Sequence, residues 1–192
     1  MRFPRATRLV LLFEQEHDAR RVLAALPGRL AEFGLKLHPD KTRLIQFRQP
    51  PRVSTTRPRV SFNFLGFTHF WGRSRKGTWI IQRRTAKDRF TRSIRTVREW
   101  CRRHRHAPIV RQHVVLRQKL LGHYAYYGIT GNSSRLLAFK DEVQRAWRKW
   151  LSRRSSKARM TWERFNRLLV TYPLPRARIM HTYARPAANP PP

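Results

Sequence analysis

Up to about Gln82 short apolar runs of strand length accompany one helical pattern, and beyond it every long apolar pattern has helical spacing. That change of period predicts an α+β chain, in which short antiparallel strands and one helix precede an all-helical bundle. In the first part, Arg8–Phe13 (RLVLLF) is a continuous apolar run, the signature of a buried strand. Ala19, Val22, Leu23, Leu26, Leu30 and Phe33 then fall at helical spacing, with Gly34 as a stop. Pro27-Gly28 inside that stretch predicts a kink or break, since an interior proline costs about 3 kcal/mol or more. Leu35, Leu37 and Thr42–Phe47 predict a hairpin around His38-Pro39-Asp40-Lys41, a sequence suited to a turn. The proline-rich Arg48–Arg59 predicts a loop. Ser61–Phe70 follows as one strand with Gly66 inside it, then a turn over Gly72–Gly77 and a return strand over Thr78–Gln82.

Three helical stripes come next: Phe90, Ile94, Val97, Trp100 and Cys101; Val110, Val114, Leu121 and Tyr124; and Leu136, Phe139, Val143, Trp147 and Trp150. A shorter helix over Thr161–Val170 has Thr161 as N-cap and Glu163 in its first turn, and Pro173 and Pro175 close it. With hydrophobic residues at 40%, a packed core is expected, and these aromatic stripes are its natural content. The tail RPAANPPP reads as disordered.

Charge limits the function. Lys plus Arg is 43 against 10 Asp plus Glu, a formal net charge of +33 that opposes compaction unless a polyanion supplies counter-charge. Nucleic acid is that polyanion, because neutralising phosphates releases condensed counterions. A membrane surface is not, since the basic residues are spread among core-type aromatics and not gathered on one amphipathic helix. Arg102, Arg103, Arg105, Arg145, Arg148, Lys149, Arg153 and Arg154 have few acidic residues at helical pairing distance, which predicts a phosphate-tracking face on a three-helix bundle. Tyr124, Tyr126 and Tyr127 cannot all face one core, so at least one reaches solvent or RNA.

The single cysteine, Cys101, excludes a disulfide framework and a multi-cysteine zinc site, which fits a reducing cytoplasm. Leu9–Phe13 is too short to span a bilayer, and no cleavage site follows it. His104, His106, His113 and His123 lack partners at ligand spacing and read as surface or RNA-facing, so no metal site is expected. Asn132-Ser133-Ser134 reads as a helix cap. The glycines of GRSRKG do not follow a phosphate-loop pattern.

Four blocks carry a resemblance: GLKLHPDKTRLIQF (Gly34–Phe47), FNFLGF (Phe62–Phe67), KLLGHYAYYGITGN (Lys119–Asn132) and AWRKWLSRRS (Ala146–Ser155). In this order they closely resemble the C-terminal part of group II intron reverse transcriptases, the intron-encoded maturases, over nearly all of Glu14–His181. The resemblance implies the end of a polymerase palm over residues 1–84, a thumb or maturase-specific domain over 85–182, and a tail over 183–192. It implies a partner in group II intron RNA or other structured RNA, with the primer–template duplex as a second. Lys41 would lie beside an incoming nucleotide, where an ammonium can meet developing phosphate charge. Phe64, Leu65, Gly66 and Phe67 would form the primer grip, with Gly66 admitting the 3′ end of a strand. At the place of the family's Tyr-Ala-Asp-Asp block this chain has Arg5-Ala6-Thr7-Arg8. Thr7 and Arg8 stand where aspartates hold Mg²⁺, which needs carboxylate oxygens, so the cofactor is expected only in an intact family member. Three functions follow: an RNA-binding relative without polymerase activity, a split polymerase completed by a palm-and-fingers polypeptide, or an unrelated basic nucleic-acid-binding protein.

Overall fold

The computed structural model describes residues 8–53, 60–155 and 159–182, so Thr7 and the tail over 183–192 lie outside them. The described residues form an α+β arrangement of five α-helices and one three-stranded antiparallel sheet. Helix α1 (Glu16–Ala31) comes first, followed by a 3₁₀ turn at Pro39–Lys41. Strands β1 (Ser61–Phe64), β2 (Phe67–Arg73) and β3 (Trp79–Thr85) pair in sequence order. Helices α2 (Lys87–Arg103), α3 (Ile109–Tyr127), α4 (Ser133–Leu151) and α5 (Trp162–Thr171) complete the chain.

The core sits in the helical part, and the first and third stripes supply it as expected. Ile94, Val97 and Cys101 of α2 meet Leu136, Phe139, Val143 and Trp147 of α4, while Phe90, Trp100 and Trp150 pack at its margin. Burial pushes the Cys101 thiol up to about 12, so it behaves as a small apolar group. The α3 stripe is displaced from the expected one. Val110 and Val114 are exposed and Leu121 is only half-buried; Tyr124 is buried as expected, but Gln112, Leu116, Leu120 and His123 fill the rest of the buried face. A polar residue hid this register. Gln112 is tolerated inside because Nε2 donates to the carbonyls of His104 and Ala107, and Oε1 accepts from Trp147 Nε1 at 2.8 Å. Helix α5 adds Phe165 to the core, and Thr161 caps it by accepting from the Arg164 amide at 3.3 Å.

The segment after α5 runs back along the bundle, where Met180 and His181 both donate to the Gly128 carbonyl and His181 forms a single parallel bridge with Ile129. Gly128 is required there, because a Cβ would stand 2.2 Å from the Tyr124 carbonyl oxygen and 3.1 Å from that of Arg178.

Four expectations for the first part are corrected. Arg8–Phe13 is not a buried strand: Leu9 and Leu12 are 66% and 86% exposed, and among the described residues no strand pairs with it. A strand sequence alone leaves its backbone groups without a ladder. Helix α1 runs unbroken through Pro27 and buries only Ala19; Phe33, at the end of the expected stripe, is exposed. No hairpin joins Leu35–Leu37 to Thr42–Phe47. The His38 carbonyl collects the Lys41 amide, the Thr42 amide and the Thr42 hydroxyl, closing a helical turn, and Phe47 is drawn away onto Phe62 and Trp71. Ser61–Phe70 is two strands and not one, with Phe64 opposite Phe67 across a two-residue turn.

His123 is also a correction, being buried against Phe139 with ring centroids 3.6 Å apart and not facing solvent. Burial lowers its pKa from 6.5 to about 4. The unfolded chain takes up this proton near 6.5 and the folded chain only near 4. Stability is therefore intact above the upper value, declines between the two as pH falls, and loses about 3 kcal/mol in all. Urea unfolding of the wild type and of His123→Leu at neutral and acid pH should show that the variant lacks this part of the loss.

Candidate nucleic-acid interface

The hairpin tip is built under backbone constraint. Leu65 and Gly66 have φ of 46° and 80°, the left-handed pair that a tight two-residue turn demands. Glycine takes that conformation freely, whereas leucine there costs about 1–2 kcal/mol. The tip is held by its neighbours. Tyr126 donates its hydroxyl to the Leu65 carbonyl at 2.9 Å, and the Ala86 amide donates to the Gly66 carbonyl at 2.9 Å. Phe67 stacks on Tyr126 at 6.0 Å and meets Tyr127 edge-on at 5.4 Å. Asn132 locks the base of the hairpin to the bundle, with Oδ1 accepting from the Thr85 amide and Nδ2 donating to Thr85 Oγ1 and the Tyr127 carbonyl. It stands at the N-cap position of α4, but its side chain makes these bonds in place of a cap.

FLGF and HYAYYGITGN, distant in sequence, thus form one surface: an open groove of about 620 Å³ lined by Arg8, Leu65, Gly66, Arg89, Tyr126 and Tyr127. Gly66 is a turn residue and not an interior strand glycine. A Cβ there would lie 3.3 Å from the Tyr127 hydroxyl, so the group closest to it is a tyrosine ring. Of the three tyrosines, Tyr124 is buried, Tyr127 half-buried and Tyr126 54% exposed, as the helical spacing required. Lys41 ends the 3₁₀ turn, exposed, and is not among the residues lining this groove. Arg8 is. A guanidinium offers donors only and does not fit Mg²⁺, and among the described residues no three His, Cys, Asp or Glu cluster as metal ligands.

The eight predicted basic residues separate into two kinds. Arg102, Arg103, Lys149 and Arg153 are exposed and have no ion-pair partner among the described residues. Lys149 and Arg153 flank the Trp150 ring at 5.9 and 5.3 Å, a cation–aromatic surface. The other four are engaged by the protein itself. Arg145 pairs with Glu142 at 3.1 Å, so it does have a carboxylate within one turn. Arg105 donates to His106 Nε2. Arg148 lies 4.2 Å from the Trp162 ring and donates to the Met160 carbonyl at 3.0 Å. Arg154 donates to the carbonyls of Arg105 and Ala107, and its burial lowers its pKa. A chain so rich in arginine uses some of them as multidentate carbonyl clamps, a role that composition cannot distinguish from phosphate binding.

Sequence reasoning missed the first half of α2. Lys87, Arg92 and Arg95 are exposed and without ion-pair partners among the described residues, while Arg98 is paired with Glu142 and Arg89 with Asp88. The signal was present as basic residues at helical spacing outnumbering the two acids near them, Asp88 and Glu99. Among the described residues no helix is long and apolar enough to cross a membrane. Comparison with protein-family models, curated proteins and solved structures found no match.

Proposed function

We propose that the chain is an RNA-binding protein related to the palm end and thumb of group II intron reverse transcriptases, without polymerase activity of its own. The observation that carries this reading is the set of cations along α2 and at the end of α4 that have no ion-pair partner among the described residues, together with an aromatic groove at the hairpin tip. Exposed cations without carboxylate partners leave phosphate as the counter-charge, and Tyr126 offers a ring face for an unstacked base. The meeting of FLGF with the tyrosine block supports the resemblance, because these are two of the blocks that define it. Arg8 in the groove favours an RNA-binding role over a split polymerase, since a complementing chain would still meet a cation where a metal ligand is needed.

The test is binding at moderate salt to a group II intron RNA and to an unrelated structured RNA of equal length, with primer extension in Mg²⁺ or Mn²⁺ alongside. Tighter binding to the intron RNA with no extension is expected. Equal affinity for both would leave a generic polycation, and extension abolished by a substitution in this chain would establish the polymerase reading instead.

A further inference from the structure

A second groove, about 640 Å³ in volume, lies between the sheet and the first half of α2. Its character follows from strand alternation. In β1 the apolar residues Phe62 and Phe64 turn to the face that carries Phe47 and His69. Ser61 and Asn63 turn to the opposite face, with Thr68 of β2 across from Asn63. A sheet face beside a helix is ordinarily apolar, so that the two can pack. This one is polar, and the space between remains a groove.

Its walls are rich in donors and poor in acceptors. Lys87, Thr91 and Arg95 recur every fourth residue on one side of α2, spanning about 12 Å of helix, with Arg92 beside them. Thr68 Oγ1 donates to Asn63 Oδ1 at 2.6 Å, which satisfies the amide oxygen and leaves Nδ2 as a donor. Among the described residues Asp88 is the one carboxylate lining the groove, and its oxygen is 3.5 Å from Arg89 Nε. Among the described residues no aromatic ring lines it, unlike the groove at the hairpin tip.

We infer that this groove binds the phosphodiester backbone of a single RNA strand without regard to base sequence. The inference rests on the RNA-binding reading above and adds a site of which the resembling blocks contain only Asn63. Hydroxyls, an amide and three unpaired cations can hold non-bridging phosphate oxygens, and without stacking rings the bases are not read.

The test is fluorescence anisotropy of the full chain with short labelled oligouridylate and oligoadenylate across a salt series. The wild type should bind both alike. Lys87→Gln/Arg92→Gln/Arg95→Gln should make the slope of log K against log salt shallower by about 2, equally for both oligomers and with an unchanged melting temperature. Asn63→Asp, which puts an acceptor where the donor was, should weaken both severalfold. An unchanged slope in the triple variant would overturn the proposal while leaving structured-RNA binding intact. So would an effect on one oligomer only. If the wild type binds neither single strands nor structured RNA, both readings fall.

Discussion

Trp147→Ala is expected to unfold the helical bundle near physiological temperature. Trp147 is fully buried at the meeting of α3, α4 and α5, edge-on to Phe165 at 5.6 Å and beside His113 at 6.5 Å. Removing a core tryptophan side chain costs about 3–5 kcal/mol through lost transfer energy and the cavity left behind. Here the loss also strips Gln112 Oε1 of its indole donor inside the core, adding about 1–3 kcal/mol. The first contribution alone lowers Tm by about 6–20 °C for a chain of this size. Trp147→Phe, which keeps a ring and loses the N–H, should fall between. Circular dichroism melts of the three proteins check this; a Trp147→Ala melt within a few degrees of the wild type would remove the residue from the core's centre.

The second large effect separates cations that bind phosphate from cations that hold the fold. Replacing Arg102, Arg103, Lys149 and Arg153 together by Gln is expected to make the salt slope of RNA binding shallower by about 3, with little change in Tm. Arg154→Gln is expected to do the reverse, costing about 2 kcal/mol of stability through the lost bonds to the Arg105 and Ala107 carbonyls. Salt titrations and thermal melts of both variants decide between the roles. A shared phenotype would mean that the basic face is one undivided surface.

Helices α2, α4 and α5 were legible because their apolar residues recur at helical spacing and face a single core. For α3 the element was legible and its buried face was not. IVRQHVVLRQKLL offers more than one apolar stripe, and the true one contains Gln112, acceptable inside only through partners contributed by α4 and the α2–α3 turn. Arg8–Phe13 failed for the complementary reason: strand propensity is realised only against a neighbouring strand. The FLGF turn was misread because Leu65 has no local preference for a left-handed conformation, and it is Tyr126 of α3 that bonds it there. The site suffered most where chemistry depends on tertiary partners. An arginine bound to a carbonyl across the bundle and one open to phosphate look the same in one dimension.

The measurement that bears most directly on RNA binding is the salt dependence of affinity for a structured RNA. Lys87, Arg92, Arg95, Arg102, Arg103, Lys149 and Arg153 are the exposed cations of α2 and α4's end that have no carboxylate partner among the described residues. If they meet phosphate at about −0.7 each, log K should fall against log salt with a slope of about −5. A slope shallower than about −2, with affinity surviving at high salt, would contradict a phosphate-bound basic face.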